Sequence, residues 1–478
     1  MILKDYYHKI TQFHESTRLH EFSVSPAGNF SLWIIVSLVL YATEYLFLVP
    51  LMILTQRFPS HRAWIMAVGG GGLFLFKKLN QLNVVDPFWF MVDGVLIVGL
   101  LYSFFYIAKG FAKLPRMVRN HPQFFLHGLL WLWILIVLLF PANFRRDPSW
   151  ELAANLTVCL VFFAFLIWRI GFLLYSGKRG TIKQNGFVDH LIYCLPYLGA
   201  SQVPYGKGLD YFYSKRATER LDLAKVQLSG LKLLVLASLW EVALDLLDWA
   251  FFSTAVDAQP LFRLHHINEL ILISTSQMPG AITVWTSLIV DMVYETTQLA
   301  ITGHLIIGCL RLFGFNLFRN TYKPLLSKTL IDFWNRYYFY FKELLVDFFF
   351  FPVYLSFFKH HPKWRIFAAT MASAFLGNFY YHLLQNFDQL IITGKMPSFV
   401  KFSSYLFYCF VLGIAIFVSI LREQSQRGKP AVTCSTLVTA RKIAGVWIFF
   451  ALLRIWDHTD SAFMLDTRFF FSLFGIQL

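Results

Sequence analysis

The chain has 478 residues, of which 57% are hydrophobic and 14% are charged. Soluble domains contain roughly 45–50% apolar and about 25% charged residues, so this composition excludes a water-soluble globule. Apolar runs of about twenty residues recur from one end of the chain to the other, which also excludes a single membrane anchor. The sequence therefore predicts an all-α, polytopic integral membrane protein.

The charge balance is basic, because 42 Lys and Arg against 27 Asp and Glu give a net charge of +15. The basic residues form short clusters beside apolar runs, a pattern typical of loops at anionic lipid headgroups. No long basic tract is present, so we expect no nucleic-acid partner. The five cysteines are widely separated without a C-x-x-C pair, which predicts buried thiols and neither a disulfide framework nor a zinc site.

The N-terminal part of the chain begins with a mixed polar and aromatic stretch, residues 1–30, without the pattern of a signal peptide. We expect it to be retained as an interfacial segment ahead of a single transmembrane domain, residues 31–478. Gly69–Gly72 lacks the Lys-Ser/Thr of a phosphate-binding loop and is interpreted as a site of close helix packing. The N-terminal helices (31–176) are predicted at Ser31–Leu54, Ala63–Phe76, Phe88–Ile107, Phe124–Phe140 and Ala153–Leu174.

A basic, loop-like region at residues 177–227 divides the domain. Within it, His190–Ala200 is apolar but too short to cross a bilayer, and its Pro196 favours a re-entrant segment. The last region, 228–478, is predicted to hold the catalytic core and the C-terminal helices, for a total of about eleven membrane helices, some of them short or tilted. Its apolar segments are Leu228–Phe252, Leu270–Pro279, Ala281–Leu312, Val346–Phe358, Ile366–Leu384, Ser403–Leu421, Ile443–Ile455 and Phe463–Ile476.

Acidic residues inside apolar segments are functional candidates, because an unpaired charge in the membrane is costly. Glu241, Asp245 and Asp248 share one helix face, and Asp291 and Glu295 repeat the four-residue spacing. One interpretation is a proton relay or cation site. The other, which the pattern favours, is a stripe at the membrane edge paired with Arg or Lys.

The histidine pairs of the second half are interpreted as solvated. His265 and His266 with Glu269 lack H-E-x-x-H spacing, and neighbouring histidines point to different helix faces. His360 and His361 belong to a basic interfacial cluster. No metal site is therefore predicted.

His382 differs from these pairs because it lies deep within the predicted span Ile366–Leu384 and follows Asn378 and Tyr381. A neutral imidazole in such a setting can accept the proton of a hydroxyl group. Taken alone, it can equally be a hydrogen-bonded packing residue. The segments that precede it favour the functional interpretation.

Three segments in chain order carry a family resemblance. The stretch from Asn320 to Tyr338 contains a proline and then Phe333-Trp334-Asn335-Arg336, and an intramembrane histidine, His382, follows. The stretch from Tyr193 to Phe212 combines prolines with glycine steps. Together they resemble the characteristic blocks of the membrane-bound O-acyltransferase superfamily, although Tyr338 stands where the bacterial branch usually has His, and Tyr381-His382-Leu383 where it has Trp-His-Gly.

The resemblance implies transfer of an acyl group from a thioester to a hydroxyl, with His382 as the general base and no covalent enzyme intermediate. Asn335 and Tyr338 are the further candidate catalytic residues, which would polarise the carbonyl or fix the acceptor. The implied substrate-binding residues are Trp334, Arg336, Asn378 and Tyr381.

The resemblance also implies partners and a location. The donor would be acyl-CoA or an acyl carrier protein, with no cofactor beyond this acyl thioester co-substrate. The acceptor would be a hydroxyl of an envelope saccharide, a membrane lipid or a secreted small molecule, in some bacterial relatives with an extracytoplasmic partner protein. The expected location is a bacterial inner (plasma) membrane. Basic residues that attract the donor, or only anchor the loop, are Lys207, Lys215, Arg216 and Arg220.

Two other functions stay open at this stage. A proton-coupled transporter or flippase would use the acidic faces at Asp245 and Asp291 to couple substrate movement to protons. A non-catalytic family member would bind a lipid or escort a partner, since fold does not fix function.

Overall fold

The computed structural model describes the chain in ten stretches. These are residues 12–41, 43–81, 87–139, 151–194, 203–252, 261–273, 278–386, 399–426, 435–457 and 463–476. Within these stretches the chain is helical and forms no β-strand, apart from one isolated bridge between Arg216 and Phe315. The all-α prediction is confirmed for this part of the chain.

The chain divides into two compact units. The first contains the described residues up to Ser238 together with Thr302–Arg319, and the second contains Leu239–Ile301 and the described residues from Asn320 onward. The helices of the first unit are α1 (Thr17–Val24), α2 (Pro26–Leu40), α3 (Leu48–Arg57), α4 (Arg62–Ile65), α5 (Gly72–Gln81), α6 (Pro87–Lys109), α7 (Arg116–Asn120), α8 (Pro122–Leu138), α9 (Glu151–Arg179), α10 (Phe187–Cys194) and α11 (Leu209–Ser214).

The remaining helices build the second unit, and two of them, α12 and α14, contribute to both. In chain order they are α12 (Arg220–Leu247), α13 (Ile267–Leu272), α14 (Ala281–Leu312), α15 (Leu330–Tyr337), α16 (Phe339–Leu345), α17 (Phe351–Ser356), α18 (Pro362–Thr370), α19 (Asn378–Gln385), α20 (Phe399–Gln426), α21 (Thr436–Leu453) and α22 (Phe463–Ser472). Short π-helical segments join α16 to α17 and α18 to α19. The one that matters for the site is Met371–Gly377, between α18 and α19.

Several helices are long and apolar enough to cross a membrane. Within the described stretches, four meet this condition by length and composition: Met91–Lys109, Asn155–Arg179, Phe402–Gln426 and Thr436–Trp456. The pair α1 and α2, bent by 96°, adds a fifth if it counts as one broken span, and α8 is a shorter apolar helix. The structure thus supports the multi-pass character that the composition predicts.

The first predicted span, Ser31–Leu54, is wrong as a single helix. The structure ends α2 at Leu40 and begins α3 at Leu48. The Thr43 hydroxyl donates to the Leu40 carbonyl (2.9 Å) and accepts from the Tyr45 N–H (3.2 Å), so a side chain takes the place of helical hydrogen bonds. A polar turn therefore interrupts the apolar run.

The core of the first unit depends on backbones that approach closely. A Cβ on Gly177 of α9 would lie 2.5 Å from the Ala108 carbonyl oxygen of α6. The rings of Phe104 and Phe163 stack between the same two helices with centroids 5.4 Å apart. In the glycine run, a Cβ on Gly69 would lie 2.5 Å from the nearest atom of the Leu51 side chain. This contact is the close packing predicted for that run.

Some sequence-based expectations fall partly outside the described residues. The predicted re-entrant segment His190–Ala200 is described only to Cys194, where α10 ends. The four described cysteines are buried and unpaired, as predicted, whereas Cys434 lies outside the described part of the chain.

The core of the second unit is aromatic and aliphatic, and it gathers residues from α13, α14, α15, α20, α21 and α22. Phe333 of α15 is buried in it and stacks on Phe450 of α21, with ring centroids 3.9 Å apart. The same ring stacks on Tyr337 at 5.1 Å. This packing fixes α15, which carries the Phe-Trp-Asn-Arg block, against the long helices.

Candidate functional site

His382 lies on α19, just after a widened turn of its helix. The π-helical segment Met371–Gly377 joins α18 to α19, and such segments occur frequently at functional sites. Gly377 lets the helix pass close to the Phe349 ring, because a Cβ at this position would lie 2.7 Å from two ring atoms. The widened turn therefore sets the direction in which α19 presents its side chains.

The His382 imidazole is half-buried and enclosed by aromatic rings. It stacks on the Tyr405 ring of α20, with centroids 4.4 Å apart and planes at 26°. The Phe341 ring of α16 meets it edge-on at 6.5 Å, and the ring of its neighbour Tyr381 lies at 5.7 Å. These contacts hold the imidazole plane in one orientation within an aromatic pocket.

The block Asn320–Tyr338 folds back on itself. The Tyr322 N–H donates to the Arg336 carbonyl (2.8 Å), the Thr321 hydroxyl to the Tyr337 carbonyl (3.0 Å) and the Phe339 N–H to the Asn320 carbonyl (2.8 Å). The Thr329 hydroxyl caps α15 by accepting from the Asp332 N–H (3.1 Å). The start and end of the block are thus tied together.

Phe341 connects this block to the histidine helix. The Trp334 ring lies 6.1 Å and the Tyr338 ring 5.6 Å from the Phe341 ring. On its other side, Phe341 packs against Tyr381 at 4.5 Å. The structure therefore brings four predicted site residues, Trp334, Tyr338, Tyr381 and His382, into one aromatic cluster.

Asn335 and Arg336 are placed differently. The Asn335 side chain is exposed on α15. The Arg336 guanidinium is partly exposed and donates through Nε to Asp332 Oδ1 at 2.7 Å, one helical turn away. These positions put neither side chain in the ring contacts around His382, and the roles that the resemblance implies for both residues stay predictions.

Asn378 lies four residues before His382 and therefore on the same face of α19. It is 1% exposed, and neither its amide nitrogen nor its amide oxygen has a hydrogen-bond partner among the described residues. Buried polar groups are normally bonded, so an unpaired amide is unusual. An amide that is free on both atoms can bind a substrate carbonyl or hydroxyl.

A charged cluster lies in the same unit, centred on Arg454. Its Nη2 reaches Glu295 Oε1 at 2.6 Å, its Nη1 reaches Asp457 Oδ2 at 3.3 Å and its Nε lies 3.6 Å from Asp291 Oδ2. His266 Nδ1 donates to the other Asp291 oxygen at 2.8 Å, and this hydrogen bond raises the pKa of His266 above its ordinary value while burial opposes the shift. Three carboxylates thus surround one guanidinium.

This cluster corrects two sequence-based interpretations. The prediction of a solvated loop is wrong for His266, which stacks on Phe252 at 3.9 Å and bonds the buried Asp291. Asp291 and Glu295 are ion-paired with Arg454, in line with the interpretation that these acidic residues pair with Arg or Lys. The signal that the sequence offered was Arg454 itself, a lone basic residue in the apolar run Ile443–Ile455.

Glu241 and Asp245 of the other acidic stripe are exposed, and Asp248 is partly buried. His265 is also partly exposed and pairs with Glu269 at 3.4 Å. Among the residues that the structure describes, no three His, Cys, Asp or Glu side chains converge as metal ligands.

A small cavity of about 40 Å³ lies between Arg454 and the block that contains Trp334. It is large enough for a water molecule. Tyr408 on its wall is one helical turn from Tyr405, and the two rings are 6.3 Å apart. Its lining residues are Met292, Glu295, Thr296, Phe333, Trp334, Tyr337, Tyr408, Phe450, Arg454 and Asp457.

Comparison with known proteins adds no family to these observations. No protein-family model matches the chain, and no curated protein matches it in sequence.

Proposed function

We propose that this protein is a membrane-embedded O-acyltransferase that moves an acyl group from a thioester to a hydroxyl, with His382 as the general base. The observation that supports this proposal is the meeting of two distant segments at Phe341, which contacts Trp334 and Tyr338 on one side and Tyr381 and His382 on the other. These are two of the three segments that carry the family resemblance. We further propose a superfamily-like arrangement of about eleven membrane helices in a bacterial inner membrane.

The proposed chemistry needs a base and a site for the carbonyl. The acceptor oxygen attacks the thioester carbonyl carbon while the His382 imidazole takes the hydroxyl proton. The carbon–sulfur bond then breaks, and the leaving thiolate recovers that proton from the imidazolium. The products are an ester and a free thiol, with no acyl group left on the protein.

The aromatic pocket suits this role because it orients the base and limits the access of water. Tyr405 holds the imidazole plane by stacking at 4.4 Å. Asn378, with its unpaired amide, is proposed to bind substrate on the same helix face, where a donated hydrogen bond would stabilise charge on the carbonyl. Tyr338 and Trp334 would form the wall of the substrate site on the side of Phe341.

The donor would be acyl-CoA or an acyl carrier protein, and the acceptor an envelope saccharide, a lipid or a secreted small molecule. An extracytoplasmic partner protein would complete the transfer if the acceptor lies outside the cell. No cofactor is needed beyond the thioester.

A reconstitution experiment separates this proposal from proton-coupled transport. Purified protein in liposomes is given acyl-CoA and a hydroxyl-bearing membrane extract, and thiol release is followed with and without a proton gradient. We expect thiol release that does not depend on the gradient and that persists in Asp245→Asn. Absence of thiol release, with gradient-driven uptake that Asp245→Asn abolishes, would contradict the proposal and support a transporter.

A further inference from the structure

Arg62 is a buried cation without a counter-ion among the residues that the structure describes. It is the first residue of α4 and is only 4% exposed. Its Nε and Nη1 atoms have no hydrogen-bond partner, and no carboxylate forms an ion pair with it in the described part of the chain. Buried charges in proteins are normally paired, so this guanidinium requires an explanation.

A second positive charge lies close to this guanidinium. Burial, together with the charge of Arg216, lowers the pKa of Arg62 to about 10, which still leaves it protonated near neutral pH. Arg216 is exposed, and its Nη2 donates to the Pro59 carbonyl (3.4 Å) in the turn before Arg62. The two arginines therefore repel each other unless an anion lies between them.

Asp189, which the Tyr213 hydroxyl links to this region, is already hydrogen-bonded. The Arg216 guanidinium lies 5.8 Å from the Tyr213 ring, and the Tyr213 hydroxyl donates to Asp189 Oδ1 at 2.6 Å. The other Asp189 oxygen accepts from the Gly186 N–H at 3.0 Å. Asp189 is thus held by neutral donors and pairs with neither arginine.

The backbone at Gly314 approaches the Arg62 guanidinium closely. Residues 215–217 pair with residues 314–316, through the Ala217 N–H to the Gly314 carbonyl and the Asn316 N–H to the Lys215 carbonyl, both at 2.8 Å. Gly314 has φ +91°, and a Cβ at this position would lie 3.2 Å from Arg62 Nη1 and 3.3 Å from Nη2. A glycine with positive φ keeps a side chain away from the guanidinium.

We propose that Arg62 and Arg216 form a binding site for a phosphate group, with Arg62 holding it from the buried side and Arg216 from the solvent side. Two guanidinium groups carry positive charge opposite to that of a phosphate ester, and the planar fork of each can bind two phosphate oxygens through paired N–H donors. A phospholipid headgroup and a soluble coenzyme A share this chemistry. The site does not depend on the acyl transfer proposed above.

The test uses the full-length protein, purified in a neutral detergent and stripped of lipid. Its thermal midpoint is followed as dihexanoyl-phosphatidylglycerol or coenzyme A is added, with dihexanoylglycerol as the phosphate-free control probe. We expect a saturable rise in the midpoint with at least one phosphate probe and none with the control. A rise with the lipid alone identifies a headgroup site, and a rise with coenzyme A alone identifies a soluble ligand.

Variants connect this stabilisation to Arg62. Arg62→Met removes the buried charge, so we expect a ligand-free midpoint at or above that of the wild type and no rise on adding phosphate probes. Arg62→Lys keeps the charge but loses the planar fork, and Arg216→Ala loses the outer guanidinium. Each should weaken the apparent affinity by about tenfold or more. The matched control, Arg119→Ala, removes an exposed arginine of the same unit and should respond like the wild type.

Three results would overturn the proposal. The first is the absence of any saturable shift with either phosphate probe. The second is a shift that persists unchanged in both Arg62 variants. The third is a ligand-free midpoint of Arg62→Met far below that of the wild type, which would show that Arg62 serves the fold within the protein itself.

Discussion

Removal of Arg454 should destabilise the second unit strongly. Arg454→Met keeps the apolar stem but leaves Asp291, Glu295 and Asp457 without their shared cation. With His266 neutral, the net charge of this group changes from −2 to −3. Breaking a buried ion pair by deleting one partner costs about 3–5 kcal/mol.

The lower end of that range applies here. Asp291 is almost fully buried, with 3% of its side chain exposed, but the side chains of Glu295 and Asp457 are 34% and 22% exposed, so water screens part of the repulsion. We therefore expect the free energy of unfolding to fall by about 3 kcal/mol.

The assay is denaturant-induced unfolding in detergent, followed by tryptophan fluorescence. Arg441→Met is the matched control, because Arg441 is exposed on α21, the helix that ends at Leu453 directly before Arg454. Asp291→Asn, made in the Arg454→Met background, should restore part of the loss, with a coupling energy of roughly 1–3 kcal/mol in the double-mutant cycle. If Arg454→Met and Arg441→Met unfold alike, the cluster does not hold the unit together.

Three further predictions concern packing, pH and the trade-off between stability and turnover. Gly377→Ala should lower the free energy of unfolding by about 1–3 kcal/mol, because its Cβ would lie 2.7 Å from the Phe349 ring. The control Gly445→Ala should not destabilise, because a Cβ there meets nothing within 4 Å. Equal unfolding midpoints for the two variants would contradict the packing argument. The hydrogen bond to Asp291 raises the folded-state pKa of His266, so its contribution to stability is complete below the unfolded value of about 6.5 and is lost as pH rises through the folded value. His266→Gln should therefore flatten the fall in unfolding midpoint as the pH rises above about 6.5, and an unchanged slope would refute this. Asn378→Leu replaces an unpaired amide by an apolar group of similar size, so thermal stability should stay the same or rise while thioester turnover falls. Loss of stability without loss of turnover would show that Asn378 serves packing.

The long apolar runs made much of the helical structure predictable. Ala281–Leu312 is one helix with the bounds expected from the sequence, and the predicted Phe88–Ile107 lies within α6. Predominantly apolar segments of this length have few alternatives to a helix in a membrane. The break between Leu40 and Leu48 was missed because a single Thr side chain supplies the competing hydrogen bonds.

The site was predictable only where its residues are close in sequence. His382 and Tyr381 could be selected from their own segment, and Trp334 and Tyr338 from theirs. Tyr405 and Phe341 were missed, because their importance lies in contacts with residues from other helices, which no local pattern reveals. Two of the three carboxylate partners of Arg454, Asp291 and Glu295, likewise come from α14, far along the chain from Arg454.

The measurement that tests the central claim most directly is thiol release from acyl thioesters by purified His382→Ala. Short-chain and long-chain acyl-CoA are supplied with a hydroxyl acceptor, and the wild type is compared with His382→Ala and with His361→Ala, which removes an exposed histidine of the same unit. We predict turnover by the wild type and by His361→Ala, and loss of at least about a hundredfold in His382→Ala, with unfolding midpoints unchanged. Turnover by folded His382→Ala at the wild-type rate would contradict the assignment of His382 as the base.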